Sequence, residues 1–375
     1  MFRSWYATCP RGAEPALELE LQALGAKGIR PGQGGVRFTG TRETALRACL
    51  DLRTAIRVLE PLGEFPAADN DSLYAGVRAL PWKDLIVPGQ TMAVSATGKS
   101  VGLNNTHHVE LRVKDGVVDE LRDKAGFRPD VDTRNPDVLV VAHLYNNQCS
   151  LSLDLAGDLL SNRGYRVRTV EAPVREALAA AVVILSGWDG QTPLRDPVCG
   201  SGTLAIEAAL IALRRAPNLK RHLACEKWPR TKEEDGKTAQ RLRVELAARE
   251  IPLPAPILAS DRDADAVEAA RANARAAHVP LLISQEDARQ IAPLSPPGQL
   301  LLNVPYGDRL EAGGKKQLKT FYHQLGAHLR TLAGHKATIL SGSEDFESAF
   351  GVRPRGPRPV VWNGPLRCVL YSYDF

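Results

Sequence analysis

The chain is 375 residues long and lacks an apolar run able to cross a bilayer; its longest, around residues 178–185, falls far short. A spanning helix needs ~20 consecutive apolar residues. The opening Met1-Phe2-Arg3-Ser4-Trp5 holds no extended apolar signal region, so a mature cytoplasmic sequence with no membrane partner is expected. No Cys-x-x-Cys pair occurs among Cys9, Cys49, Cys149, Cys199, Cys225 and Cys368. Thiols scattered in this way speak for a reducing compartment and against structural zinc. His107-His108 has no partner at ligand spacing and reads as exposed polar surface, so no metal is expected. A strong charge of one sign is missing as well: 48 Lys+Arg against 43 Asp+Glu leave a net charge of +5. Residues 1–180 carry 22 basic and 22 acidic side chains and residues 181–375 carry 26 and 21, so the whole excess lies in the second half. That balance is compatible with RNA but does not by itself point to it. Internal repeats and low-complexity tracts are also absent.

What is present suffices for two or three domains with real cores, since 44% of the residues are hydrophobic. Residues 4–8 read as a strand, 15–24 as a helix with Pro15 in its first turn, 25–35 as turns and 36–39 as extended. Thr41 can cap a helix over 43–50, and 57–65 is extended again, so a small α/β unit closes near Pro66. A second unit runs from about 69 to 155. It holds a helix over 73–80, a strand over 91–96, and helix propensity over 106–120 interrupted by a turn at Asp115-Gly116. A strand pair, 138–144 and 148–154, then closes across Asn146-Asn147. After a helix over 175–185, strands (194–197, 257–260, 281–284, 299–302, 336–341, 367–373) interleave with helices (204–214, 264–277, 317–332). That alternation is the signature of a parallel sheet. Within 216–250 lies a charged insertion, 220–243, expected as helices on the surface.

Two segments carry the chemistry. The first is Asp196-Pro197-Val198-Cys199-Gly200-Ser201-Gly202-Thr203, between a strand and a helix. Glycines at such a turn let backbone N–H groups approach a ligand, and a helix N-terminus favours negative charge. Asp196 can accept from a ligand amino group or from turn amides. Cys199 reads as a small packing residue rather than a nucleophile. A dinucleotide site would want G-x-G-x-x-G, but residues 200–205 read Gly-Ser-Gly-Thr-Leu-Ala. Further on, Asp261 ends an apolar strand where a carboxylate can take both hydroxyls of a ribose, leaving Asp263 to cap the next helix. Asp287, after the following strand, can accept from an adenine amino group. The second segment, Asn303-Val304-Pro305-Tyr306-Gly307, follows another strand. An exocyclic amine conjugated to a ring is a poor nucleophile. It improves when the Asn303 oxygen and a backbone carbonyl hold its hydrogens, and Tyr306 can stack on a base taken out of its helix. Lys315, Lys316 and Lys319, with Arg353, Arg355 and Arg358, are the best phosphate contacts on offer.

With these residues in hand the chain resembles the bacterial THUMP-containing RNA methyltransferases, most of all the guanine-N2 methyltransferase half of the large-subunit rRNA enzymes. The likeness runs nearly full length. It includes Ala7-Thr8-Cys9-Pro10-Arg11-Gly12 with Glu18-Leu19, then Asn135-Pro136-Asp137, Leu151-Ser152-Leu153-Asp154 and Arg163-Gly164-Tyr165-Arg166. Ala172-Pro173-Val174-Arg175-Glu176, Trp188 and the two motifs complete it. The resemblance implies an α/β chain with a ferredoxin-like region (1–66), a THUMP RNA-binding domain (67–156) and a linker (157–180). A Rossmann-like class I methyltransferase domain (181–375) would follow. It further implies S-adenosyl-L-methionine as cofactor, held by Asp196, Cys199, Gly200, Ser201, Gly202, Thr203, Asp261 and Asp287. Asn303, Pro305 and Tyr306 would be catalytic, and RNA the partner, with 23S rRNA guanine N2 the expected target. A tRNA guanine, adenine N6 in RNA or DNA, and a non-catalytic RNA-binding assembly factor stay open. The family's corner reads Asn-Pro-Pro-Tyr; Val304 replaces its first proline, and proline there is expected to be tolerated.

Overall fold

The computed structural model describes residues 2–170, 174–229, 231–306 and 314–375. Ala172-Pro173 and Gly307 lie outside the described residues. The first half is built from β1 (Arg3–Thr8), α1 (Glu14–Ala23), β2 (Lys27–Gly32), β3 (Gly35–Gly40), α2 (Arg42–Asp51) and β4 (Arg57–Pro66). It continues with α3 (Asn70–Arg78), β5 (Thr91–Gly98), α4 (Thr106–Ala125), β6 (Asp130–Val131), β7 (Val138–Tyr145) and β8 (Gln148–Asp154). Its local signals act as their chemistry dictates. The Thr41 hydroxyl accepts from Thr44 N at 3.2 Å and starts α2. Asn146 and Asn147, both at positive φ, form the two-residue turn between β7 and β8.

Two sequence expectations fail here. Residues 27–32, read as turns, are an edge strand paired with β3. The turn at Asp115-Gly116 does not exist: α4 runs straight through it. A Cβ at 116 would sit 2.8 Å from Val77 Cγ1, so the missing side chain makes room for α3. One sheet, β2-β3-β1-β4-β8-β7-β5-β6, spans the whole first half. Ten-residue β4 makes this possible by pairing with β1 on one edge and β8 on the other.

The second half contains α5 (Glu176–Leu185), β9 (Leu194–Asp196), α6 (Thr203–Ala212), α7 (Lys232–Ala248), β10 (Ile257–Asp261), α8 (Ala264–Ala277) and β11 (Leu282–Gln285). After these come β12 (Gln299–Asn303), α9 (Gly314–Leu329), β13 (Lys336–Ser341), α10 (Phe346–Phe350), β14 (Val360–Asn363) and β15 (Leu366–Asp374). The sheet order is β11-β10-β9-β12-β13-β15-β14, parallel from β11 to β13 and antiparallel beyond. This is the class I methyltransferase topology. From β9 the chain winds outward to β11 and then crosses back to β12, so the crevice at the C-terminal ends of β9 and β12 is the switch point where such sheets bind ligands.

The insertion expected on the surface is instead the clamp between the halves. Trp228, Leu242 and Leu246 are buried in the core cluster of the first half. Each such side chain contributes about 1.5–3 kcal/mol on burial. Trp228 Nε1 donates to Asp137 O at 2.9 Å, and Asn218 N to Leu50 O at 3.1 Å. Arg42 reaches Asp235 at 2.7 Å, Arg47 reaches Glu245 at 2.7 Å, and Arg241 reaches Glu43 at 2.7 Å. The charges that made this segment look solvated are partners for α2. Asp235 is buried and Arg42 half-buried, so the pair's value lies more in selecting one docking geometry than in net stability.

Candidate active site

A cavity of about 700 Å³ opens at the C-terminal ends of β9, β10 and β12. Asp196 ends β9 and is 1% exposed. Its Oδ1 accepts from Val198 N at 3.3 Å, while Oδ2 is buried with no partner. Burial pushes this carboxyl well above its ordinary pKa, and the nearby Asp261 charge adds to the effect. The loop behind it is pinned by backbone. Cys199 N donates to Ser260 O at 3.0 Å and Gly202 N to Cys199 O at 2.8 Å. The Cys199 thiol is buried, and desolvation followed by the Asp196 and Asp261 charges pushes its pKa far up, so it stays protonated and packs. Gly202 starts α6 at φ +85°, and a Cβ there would press on Ala270 Cβ at 3.1 Å. No side chain caps α6.

Asp261, at the end of β10, accepts from Gly200 N at 2.9 Å and from Asp263 N at 3.1 Å. It is therefore also the post that holds the glycine loop. Asp263 caps α8 by accepting from Asp265 N at 2.9 Å. Asp287 lines the cavity too, but its Oδ1 already accepts from Arg289 N and Nε at 2.9 and 2.8 Å. The Arg289 hydrogen bonds hold its pKa at about 2.

Across the cavity, Asn303 and Pro305 form the opposite wall. Asn303 Oδ1 is buried without a partner. The Pro305 carbonyl accepts from Tyr322 OH at 2.5 Å. Val304 is fully buried and its N–H donates to Leu340 O at 3.2 Å. A proline could not make that bond, so the expected tolerance of proline at 304 becomes an expected small loss. Tyr306 does not line the cavity. It is 2% exposed, packed with Leu178, Leu340, Val361 and Leu370, and its OH accepts from Asn363 Nδ2 at 3.2 Å. The ring expected to stack on a base is thus sequestered in this conformation, because β13 and β14 offer it an apolar slot.

Of the expected phosphate contacts, Lys316 lines the cavity, and Lys315, Lys316 and Lys319 line an adjoining groove with His323. Lys319 also pairs with Asp345 at 3.1 Å. Arg355 and Arg358 are paired with Asp374 and Glu347, and neither they nor Arg353 line the cavity. Sequence reasoning missed Asn273. Its Oδ1 accepts from Val167 N and Arg168 N, both at 2.9 Å, and its Nδ2 donates to Arg168 O at 2.8 Å and Ser201 O at 3.0 Å. One buried amide, used to capacity, ties the interdomain segment to the glycine loop. The available signal was a lone polar residue on the buried stripe Ala266, Val267, Ala269, Ala270 and Ala274. Phe321 and Gln324, on α9, were missed as cavity walls because their neighbours in the cavity are remote in sequence. Among the described residues no cluster could hold a metal, and no helix is long and apolar enough to cross a membrane.

Comparison with known proteins gives three matched family models: an RlmL ferredoxin-like domain over residues 4–59, a THUMP domain over 67–154, and an RMKL-like methyltransferase domain over 163–371. The chain is 39% identical over 391 residues to a ribosomal RNA large subunit methyltransferase K/L of Syntrophotalea carbinolica, covering 99% of this chain and 53% of that protein. It spans about half the length of the curated K/L relatives it matches. A Synechocystis protein provisionally designated RNA methyltransferase slr0064 is 35% identical, with 99% of this chain and 97% of that one covered. Among solved structures, SMU.472, provisionally designated a methyltransferase and crystallised with SAH, superposes with a TM-score of 0.87. It is 32% identical, with 100% of this chain and 98% of that chain covered.

Proposed function

The chain belongs to the RMKL-like methyltransferase family, and from that premise we propose that it methylates the exocyclic N2 of a guanine in RNA, with 23S rRNA the expected target. The carrying observation is a single cavity lined by Asp196 on one wall and Asn303 on the other, each of which holds a buried oxygen, Oδ2 and Oδ1 respectively, with no hydrogen-bond partner. Buried polar atoms without partners are costly, and both become satisfied if a cationic donor and an amine meet between them.

S-adenosyl-L-methionine, when bound, supplies a methyl group on a positively charged sulfur. The residues present fit it. Asp196 offers its free oxygen to the donor's ammonium group. Asp261, already oriented by Gly200 and Asp263, keeps acceptor capacity for the two ribose hydroxyls. Gly200 and Gly202 keep side chains out of the donor's way, with Cys199, Ser201 and Thr203 completing the loop. Asp287 reads the adenine edge, and Phe321 gives it an apolar wall. On the acceptor side Asn303 Oδ1 accepts a hydrogen bond from the amine, which turns its lone pair toward the methyl carbon, whereas the carbonyl of the buried Val304, expected from sequence to help, does not line the cavity. Pro305 stiffens the corner. Alignment of this kind supplies much of the rate when the donor is already activated. The THUMP domain and the ferredoxin-like region place the RNA, and Lys315 and Lys316 meet its phosphates. The buried thiols of Cys9, Cys49, Cys149, Cys199 and Cys225 fit a reducing, cytoplasmic setting.

The test is to incubate the protein with labelled donor and total RNA or DNA, digest, and identify the methylated nucleoside. N2-methylguanosine in large-subunit rRNA is expected, whereas label in tRNA moves the substrate. N6-methyladenine in either nucleic acid overturns the guanine assignment. Tight donor binding with no label anywhere supports an assembly factor.

A further inference from the structure

The loop at residues 9–12 of the first half does not touch the cavity, yet it is seated on the edge strand of the second-half sheet. Trp362 N, on β14, donates to Arg11 O at 2.9 Å, and the Arg11 guanidinium lies 4.0 Å from the centre of the Trp362 ring. Gly12 sits at φ +86°, and a Cβ there would fall 2.1 Å from Val360 O and 2.8 Å from Val361 Cα. Any side chain at 12 must push β14 away. Among the described residues β14 pairs with β15 alone, so no further strand holds its outer edge.

At its far end β14 meets the methyl-accepting corner. Asn363 Nδ2 donates to Tyr306 OH at 3.2 Å, and Val361 packs in the same buried cluster as Tyr306. Tyr306 follows Pro305 and lies three residues from Asn303. We propose that Asn363, Arg11 and Gly12 are positioning residues for that corner. The loop of the first half seats β14, and β14, through Asn363 and Val361, holds the Tyr306 ring in its slot so that Asn303 keeps its amide in the cavity. The first half therefore acts on the rate of methyl transfer as well as on RNA affinity. The argument rests on the acceptor role of Asn303 proposed above.

The test uses full-length variants and three readouts: single-turnover methyl transfer, donor and RNA affinity, and amide hydrogen exchange of residues 303–306. Asn363→Leu is expected to slow transfer about tenfold, the size of one neutral hydrogen bond, and to speed exchange at 304 and 306. Donor and RNA affinities should stay at the parent values. Asn363→Asp, which accepts from the Tyr306 hydroxyl, should restore most of the rate. Gly12→Ala should reproduce the Asn363→Leu pattern without altering any residue of the corner, and the two together should be less than additive. Should Gly12→Ala fail to fold, Arg11→Ala, which removes the stacking on Trp362 and the guanidinium hydrogen bonds to Gln33 but keeps the Arg11 carbonyl, should give the same pattern at smaller size. An unchanged rate and exchange in Asn363→Leu overturns the proposal, and so does a Gly12→Ala or Arg11→Ala loss that lies wholly in RNA affinity. If the parent protein methylates no nucleic acid, the proposed function fails by itself, and the exchange readout still decides the coupling.

Discussion

The two walls of the cavity are held in different ways. The proposed donor wall is fastened by the adjacent strand, by its own turn and by α8: Cys199 to Ser260 and Gly200 to Asp261 on β10, Gly202 to Cys199 within the loop, and Ser201 to Asn273 on α8. The proposed acceptor corner takes one tie from its paired strand, Val304 on Leu340, and the others from α9 and the edge strand β14, Pro305 on Tyr322 and Tyr306 on Asn363. A loop with two backbone amides tied to the adjacent central strand is pre-formed by the middle of its own sheet. A corner supported by the edge strand β14, itself seated on the first-half loop through Arg11, depends on how the rest of the molecule is assembled. Damage to the donor wall should therefore appear in affinity, and damage to the corner in rate.

That division can be broken most forcefully at Asn303. Asn303→Ala should lower turnover about a hundredfold, roughly the cost of losing one positioned hydrogen-bonding group in a transition state. Donor affinity by calorimetry should hardly move; a parallel loss of donor affinity would merge the two walls into one unit.

Next in size is Asp261→Ala, expected to weaken donor binding by roughly tenfold to a hundredfold, the range for losing a charge-assisted hydrogen bond. Gly200 loses its acceptor as well, so the glycine loop should show faster amide exchange. Unchanged donor affinity removes Asp261 from the ribose.

Asp196→Asn sharpens the electrostatic side. Burial raises the folded-state pKa of Asp196 above that of the unfolded chain. The folded protein then holds the proton more tightly, so this group's stabilising contribution is complete below the ordinary carboxylate pKa of about 3.9 and is lost as pH rises through the raised value. The donor-free variant should consequently melt higher than the parent at neutral pH, with the gap closing as pH falls toward 4, while donor affinity drops about tenfold. A variant that melts lower at every pH would mean that the carboxylate is paired in the donor-free protein.

The smallest effect is expected for Val304→Pro, which removes the amide bond to Leu340 and should cost about 1 kcal/mol in denaturant unfolding. Asn303 is already in a strand, as a residue before proline must be, so the corner should keep its shape and most of its rate.

Much of the donor wall was legible because its residues are consecutive or end successive strands. A glycine pair between strand and helix, and a carboxylate at each of the next strand ends, are patterns of period and punctuation. The hairpin at Asn146-Asn147 and the cap at Thr41 were legible for the same reason. The charged stretch 220–243 was misread because charge alone does not say whether its partner is water or Arg42 and Arg47 on another domain. Gly116 was misread because a glycine inside a helix can mark either a turn or a close neighbour, and only Val77 tells which. Tyr306 could not be placed, since an aromatic after Pro305 fits a base or a core equally well.

By itself the sequence decided the order of elements, the parallel sheet and the residue types at its C-terminal edge, because these follow from local periodicity and from which backbone conformations each residue allows. Only the tertiary structure decided that the first half forms one continuous sheet, that an acidic and basic helix is a clamp, that Asn273 is spent on four hydrogen bonds, and that Tyr306 faces the core. Each of these depends on contacts between residues dozens to hundreds of positions apart, where burial and partner geometry, rather than residue type, settle what a side chain does.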